Sequence, residues 1–565
     1  MAEPTIQLGG GNWAGKTDNL LGYYKEGERF YKQDFTFSRS TTGTYTDSDG
    51  YIQEMPYNLL QQSNNFDTTW TNSNTTETSG QSGYDGTNNA WLLEKSAANG
   101  YLMNNYVFKG FPYTFSTYLK KGSKEWAMIF MGGKVAFFNL SNGTKGSFNG
   151  TSSSIESIGN GWYRCSLVFN YNGSSSVRIY PADGNDDTTG TSGSIYIQNA
   201  QLNSGTSAKT YFPTTTRLNM PRVDYLNNSN GSLILEPQRT NLIEYSNFSS
   251  GWSLLSGGSI AHNQTVSPDG TQNASVLSGN GADDNAIYDA LNLSVQSYTL
   301  SVFAKQKGVS ILSLKGFTSG ALGLSKFNLS NGTIETASSN QFSDEKIENY
   351  GNGWYRCSVK VTPTSSGSKF FGFKGEDSDS GELFSLYGAQ LEVGSYATTL
   401  IKTSGSSVTR NKDACSISNV ADRIGQTEGV VYAEIDYTPH SINYESIASL
   451  QGTSTQQYIE FYFNSNNRLG VGIYNGGAIQ LSFTSAVQTK GIKKIAIAYK
   501  ANDFAIYLNG VQLHTDNSGS VPPTSSLGLG MNYALNNYQL SQPIKQFQLY
   551  NTRLSNSELA TLTTL

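Results

Sequence analysis

Apolar and polar residues alternate with a period of two along most of the chain, in short runs separated by Gly, Asn, Ser and Thr. This is the pattern of half-buried strands joined by tight turns. From residue 428 onward, EGVVYAEIDYT, QQYIEFYFN, NRLGVGIYNG, AIQLSFTS, IKKIAIAYK, DFAIYLNGVQL and IKQFQLYN follow one another in this way and predict an antiparallel sandwich. Helical periodicity is nearly absent. The exception is Ser555-Asn556-Ser557-Glu558 before Leu559, a capping box that opens one short C-terminal helix.

Ahead of that sandwich, two segments of about 160 residues carry the same landmarks in the same order. Asn58-Leu59-Leu60 with Trp70 matches Asn241-Leu242-Ile243 with Trp252, and FNLSNGT recurs at 138–144 and 327–333. GNGWYRCS recurs at 159–166 and 351–358, and Ala200-Gln201-Leu202 matches Ala389-Gln390-Leu391. Gly-Asn-Gly supplies a turn that needs positive φ, and the strand after it places Tyr163, Cys165, Leu167 and Phe169 on one face. Tyr355, Cys357, Val359 and Val361 do the same in the second copy, so the two cysteines are core fillers of separate domains and do not pair. Trp162 and Trp354 fall on the opposite face with Arg164 and Arg356, where packing under a neighbouring segment is favoured over stacking on a sugar. Each copy predicts a jelly roll.

The fold class is therefore all-β: tandem antiparallel β-sandwiches, two jelly rolls and a third sandwich, preceded by a short docking segment. The domain limits read from these patterns are a docking segment at 1–34, connecting strands at 35–56, jelly roll one at 57–215 and connecting strands at 216–237. Jelly roll two follows at 238–403, a polar linker at 404–427 and the last sandwich at 428–565. If the connecting strands pair with each other, the first jelly roll is an insertion between them.

Composition narrows the function. Charged residues are only 14% of the chain, and 38 Lys+Arg against 43 Asp+Glu leave a formal net charge of −5, with no basic excess for a phosphate backbone or an anionic membrane. No apolar run reaches the length of a membrane span, and MAEPTIQLGGGNWAGK has no apolar signal-peptide core, so the chain is read as soluble and made in a cytoplasm. The three Cys and three His are scattered without CxxC or HExxH spacing, which leaves the usual zinc sites without ligands.

DFTFSRSTTGTYTDSDGYI at 34–52, PRVDY at 221–225, SLILEPQRTNLIEYSN at 232–247, GNGWYRCS, YGAQLEVGSYATTLIKTSGSSVTRNKD at 387–413 and TEGVVYAEIDY resemble phage virion appendage proteins. These are tail-fibre or head-fibre polypeptides built from carbohydrate-binding-module-like jelly rolls and a concanavalin A/laminin G-like domain, whose late strand and turn YLNGVQL at 507–513 also resembles. Such proteins usually carry one jelly roll after EPQRTNL; here another precedes PRVDY. The resemblance implies a homotrimeric virion protein of the tail or capsid surface, made in the host bacterium, joined to other virion proteins through residues 1–34 and attached multivalently to host surface polysaccharide. A capsid decoration or fibre adaptor without glycan binding, and a polysaccharide depolymerase, stay open as alternatives.

Catalysis is not expected. Glu434-Ile435-Asp436 approaches the paired carboxylates of concanavalin-like glycoside hydrolases, but Thr438 and Pro439 stand where the third would be. No cofactor is required. Calcium is the metal that oxygen-rich loops would take, and Asp183, Asp186 and Asp187 in the first copy and Glu376, Asp377 and Asp379 in the second lie in matching acidic loops. For glycans, aromatic faces cover the apolar side of a sugar ring while amides bond its hydroxyls. Tyr474, Asn475, Asn532, Tyr533, Asn536 and Asn537 supply both in turns of the last sandwich.

Overall fold

The computed structural model describes residues 2–10, 13–16, 19–26, 29–55, 58–209, 211–215, 220–255, 257–281, 286–316, 323–336, 339–439, 444–534 and 540–565. Strands make up nearly all of its regular structure, as antiparallel sandwiches, and Asn556–Thr563 is the single α-helix among the described residues. No helix there is long and apolar enough to cross a membrane. The chain divides into two compact units. One comprises Glu54–Arg217 with Asp269–Asn273, and the other holds the remainder.

The first unit is the first jelly roll. Two 21-residue strands, Tyr101–Lys121 and Trp162–Ala182, pair from Leu102↔Ile179 to Lys120↔Trp162, with a bulge at Lys109/Phe111. Each therefore runs through both layers. Gly193–Ser204, Ala90–Lys95, Thr75–Gln81 and Ser152–Gly159 complete one layer. Trp126–Met131, Lys134–Asn139, Thr144–Phe148 and Thr71–Ser73 complete the other. Cys165 and Leu167 lie in the core between them, with Tyr163 and Phe169 at its edge. Asn160 has φ 52° between Gly159 at 93° and Gly161 at 76°, the left-handed turn that GNG was read to supply.

The second jelly roll repeats the plan with both long strands cut in two, as Ala286–Leu293 plus Tyr298–Gln306 and Trp354–Val361 plus Gly367–Lys374. Pro363 stands in the second gap; without an N–H it cannot carry the ladder through. The result is two six-stranded sheets around a core that includes Cys357, Val359 and Val361. Trp162 and Trp354 are 1% and 2% exposed, and Trp354 donates to the Val266 carbonyl at 3.1 Å, so both pack rather than face solvent. All three cysteines are buried free thiols.

In the C-terminal sandwich, one sheet joins Glu428–Tyr437 to Gly491–Lys500 and Ile544–Tyr550, continuing through Phe504–Leu508 to Val511–Asp516. The other runs from Ala478–Val487 through Arg468–Asn475, Tyr458–Asn464, Tyr444–Gln451, Ser526–Leu529 and Ala414–Ser418 to Arg29–Ser38. The expected docking segment at 1–34 is not separate. Ile6–Gly9 pairs with Ile544–Tyr550, Asn19–Glu26 pairs with Arg29–Ser38, and Phe35 and Phe37 enter the same core as Ile6 and Leu8. Nor is 404–427 a free linker. Val408–Arg410 pairs with Arg239–Asn241, and Cys415 and Ile417 are core residues, because the apolar alternation of ACSIS outweighs the polar residues before it.

PRVDY, EPQRTNL, FSRS and TRNKD meet in one buried ionic cluster. Arg222 reaches Glu236 at 2.8 Å and Asp413 at 2.6 Å, Arg39 reaches Asp413 at 2.8 Å, and Arg410 reaches Glu236 at 2.5 Å. Burial alone would raise the Glu236 carboxyl; Arg410 and Arg222 hold it down at about 2. The helix Asn556–Thr563, opened by the Ser555/Glu558 capping box, lays Leu559 on Val430, Tyr432, Ala498 and Tyr550, and so covers the outer face of the first sheet.

Candidate functional site

Among the described residues, the outer face of the second sheet has no such helical cover. Along Tyr458–Asn464, Ile459, Phe461 and Phe463 enter the core, so strand pleating turns Tyr458, Glu460 and Tyr462 outward. Register sets Tyr458 against Tyr474, Glu460 against Gly472 and Tyr462 against Gly470. A Cβ at Gly470 would overlap the Tyr462 ring, so the bare backbone there lets that ring lie down on the neighbouring strand.

Five tyrosines stack in two groups on this face. Tyr444 lies on Tyr462 with ring centroids 4.0 Å apart and planes at 21°. Tyr458 lies between Tyr474, at 4.7 Å and 19°, and Tyr533, at 4.3 Å and 11°. The segment that brings Tyr533 in is tied down from below. Ser446 and Ser449 donate to the Met531 carbonyl at 2.8 and 3.0 Å, and Gln451 Nε2 donates to the Asn532 carbonyl at 3.0 Å.

Glu460 sits among these rings. It is 1% exposed, and its Oε1 has no hydrogen-bond partner among the described residues. Burial pushes its carboxyl up to about 7, against the opposing pull of the Ser446 and Tyr444 side chains and the Tyr533 backbone. Burial also raises the Tyr444 hydroxyl far above its ordinary range, and Glu460 adds to the shift. Strand positions that share this face also include Thr36, Ser38, Ser416, Ser418, Ser449, Gln451, Ser526, Ser482 and Thr484, and Glu460 is a carboxyl buried among them. Arg468, at the end of its strand, donates instead to the Ser485 carbonyl at 3.2 Å. The face offers flat aromatic surface beside a buried carboxyl and a run of hydroxyls.

Of the residues read as glycan contacts from the sequence, Tyr474 and Tyr533 come together here, on either side of Tyr458. Asn475 turns away and donates to Ser520 Oγ at 2.9 Å. Asn532 is 4% exposed and accepts from the Ala534 N–H at 3.2 Å, holding the loop. Asn536 and Asn537 lie outside the described residues. Tyr444, Tyr458, Glu460 and Tyr462 were not singled out, although YIEFYF shows the alternation that places three of them outward.

Glu434 and Asp436 have different neighbours. Glu434 lies between Lys545 at 3.8 Å and Lys494 at 4.0 Å, while Asp436 borders a cleft of about 530 Å³ next to Thr438 and Pro439. The acidic loops are likewise committed. Asp183 is gripped by Lys95 and Lys124, both at 2.6 Å, Asp186 accepts from the Ser147 hydroxyl, and Asp187 caps Thr189 at 2.9 Å. Glu376 pairs with Lys326 and Asp377 with Lys374, each at 2.5 Å, and Asp379 accepts from the Glu376 N–H at 2.6 Å. Among the described residues no group of three His, Cys, Asp or Glu side chains is arranged to hold a metal. Lysines and backbone amides neutralise or occupy these carboxylates.

A family model described as the concanavalin A-like lectin/glucanases superfamily matches residues 436–560. No curated protein matches the chain. Similar solved structures include the CBM40 of the Ruminococcus gnavus IT-sialidase, 16% identical, with a TM-score of 0.22 over 25% of this chain and 84% of that one. NanB sialidase from Streptococcus pneumoniae is 14% identical, with a TM-score of 0.22 over 26% of each chain. The heptameric SAP-like pentraxin from Limulus polyphemus is 15% identical, with a TM-score of 0.20 over 24% of this chain and 70% of that one.

Proposed function

We propose that the chain is a non-enzymatic carbohydrate-binding protein whose C-terminal sandwich holds a saccharide on the Tyr444/Tyr462 and Tyr474/Tyr458/Tyr533 stacks. The observation that carries this reading is the sheet face on which five stacked, partly buried tyrosines flank Glu460. It lies in a domain that matches the lectin/glucanase superfamily. Tyrosine rings cover the apolar face of a pyranose, and the surrounding Ser, Thr and Gln side chains bond its hydroxyls. A microarray of bacterial surface polysaccharides probed with the full chain and with Tyr458→Ala tests this: at least one polysaccharide that binds the full chain is expected to lose its signal with Tyr458→Ala, and a binding pattern identical for the two would overturn the reading.

The place of the protein is part of the same proposal. The motifs from DFTFSRS to TRNKD support a virion fibre, on the tail or capsid surface, in which homotrimeric copies present weak sites together and gain avidity. Immunogold microscopy of intact particles with an antibody to residues 428–565 tests it. Gold on fibres is expected, and unlabelled particles would overturn the virion assignment.

A further inference from the structure

The duplicated jelly rolls share a core but differ on one sheet face. In the first copy, Trp126↔Ala182, Met128↔Tyr180 and Phe130↔Arg178 pair across two strands, and Met128↔Phe137 across the next. Ala127, Ile129 and Ile179 point into the core, so Trp126, Phe130, Phe137, Tyr180 and Arg178 lie on the opposite face of the sheet, where Phe137 and Tyr180 are buried and Trp126, Phe130 and Arg178 are partly exposed. FNLSNGT and the cross-strand pairs fix the equivalents in the second copy. Core positions stay apolar, with Ile129 matched by Leu314 and Phe138 by Phe327. Outside, Trp126 becomes Ile311, Phe130 becomes Lys315, Phe137 becomes Lys326, Tyr180 becomes Lys374 and Arg178 becomes Gly372. Two of those lysines are tied to Glu376 and Asp377.

The first copy's face is more than an apolar patch. Arg178 is clamped flat between Phe130, at 4.5 Å, and Tyr101, at 4.7 Å from the ring centroid. Its Nε donates to Ser176 and its Nη1 to Tyr180, while Nη2 has no partner among the described residues. Trp70 and Trp91 of the same domain donate to the Gln62 and Asn64 carbonyls. Trp126, partly buried, has no such partner among the described residues. Aromatic planes with two unpaired N–H donors beside them complement a ligand that is flat, apolar on one side and rich in acceptor oxygens.

We propose that this face of the first jelly roll is a second saccharide site, which takes a pyranose oligosaccharide stacked on Trp126 and Phe130 and bonded by Arg178 and the Trp126 indole. The second jelly roll does not carry it. This site rests on observations separate from those for the C-terminal tyrosines.

Affinity gel electrophoresis of the full chain carrying Tyr458→Ala isolates this face from the C-terminal one. The gels contain laminarin, xylan, dextran, alginate or polygalacturonate. Retardation by at least one is expected, and Trp126→Ile or Phe130→Lys, each the residue of the second copy, should weaken it roughly tenfold per residue. The parallel substitution Lys315→Ala in the second copy should leave mobility unchanged. Unaltered thermal unfolding shows that the variants fold, and protection of tryptophan fluorescence from acrylamide by the retarding polysaccharide gives an independent readout. Retardation that survives both substitutions, the absence of retardation by every polysaccharide, or self-association abolished by Trp126→Ile would each overturn the proposal.

Discussion

Tyr533 lies almost parallel to Tyr458, with ring centroids 4.3 Å apart, although 75 positions of sequence separate the two numbers. Tyr458 is on a strand and Tyr533 in a loop, and the loop is fixed by hydroxyl and amide donors on the neighbouring strand, Ser446, Ser449 and Gln451. The stack is thus built by the sheet, which gives the face a preorganised aromatic surface.

Gly470→Ala tests that geometry without touching a ring. The added methyl would overlap Tyr462 and displace it from Tyr444. The expected outcome is a modest stability cost of about 1–3 kcal/mol, read by chemical denaturation, together with loss of saccharide binding.

Glu460 should give the C-terminal sandwich an unusual pH dependence. Its carboxyl rises from an ordinary value of 4.5 to about 7 in the folded chain, so the folded state holds the proton more tightly than the unfolded one. Stability is full below about 4.5 and falls by about 3 kcal/mol as pH rises through about 7. Glu460→Gln should flatten that slope, measured by denaturation of the full chain from about pH 5 to about pH 8.

The Arg222 cluster has the opposite sign. Glu236 falls from 4.5 to about 2 on folding, so its contribution is present above about 4.5 and is lost as pH falls toward about 2. Arg222→Met removes the residue that joins both buried carboxylates and should cost about 3–5 kcal/mol at neutral pH. Differential scanning calorimetry of the full chain would show the loss.

Burial raises all three thiols above their ordinary range. A disulfide-exchange reagent should therefore titrate no cysteine in the native chain and all three in denaturant.

Much of the fold was legible because a strand with one buried face writes its periodicity into the sequence. GNGWYRCS disclosed both the turn and the core face of each jelly roll. Residues 1–34 were not legible as part of the last sandwich, because Ile6 pairs with Leu549 and non-local pairing leaves no local signature. The site was half legible. Alternation in YIEFYF shows that Tyr458, Glu460 and Tyr462 point away from the core, but only the helix at Asn556–Thr563 decides which outer face is covered. Asn475 and Asn532 looked like ligand amides because both lie in turns; in the fold each is a brace for a neighbouring loop.

The most direct measurement is isothermal titration calorimetry of the full chain with the polysaccharide fragment that it retains best on the microarray, beside Tyr458→Ala and Tyr474→Ala. The account predicts that both substitutions remove the heat of binding at the C-terminal face while thermal unfolding stays near that of the unsubstituted chain. Binding heat unchanged by both substitutions would contradict it.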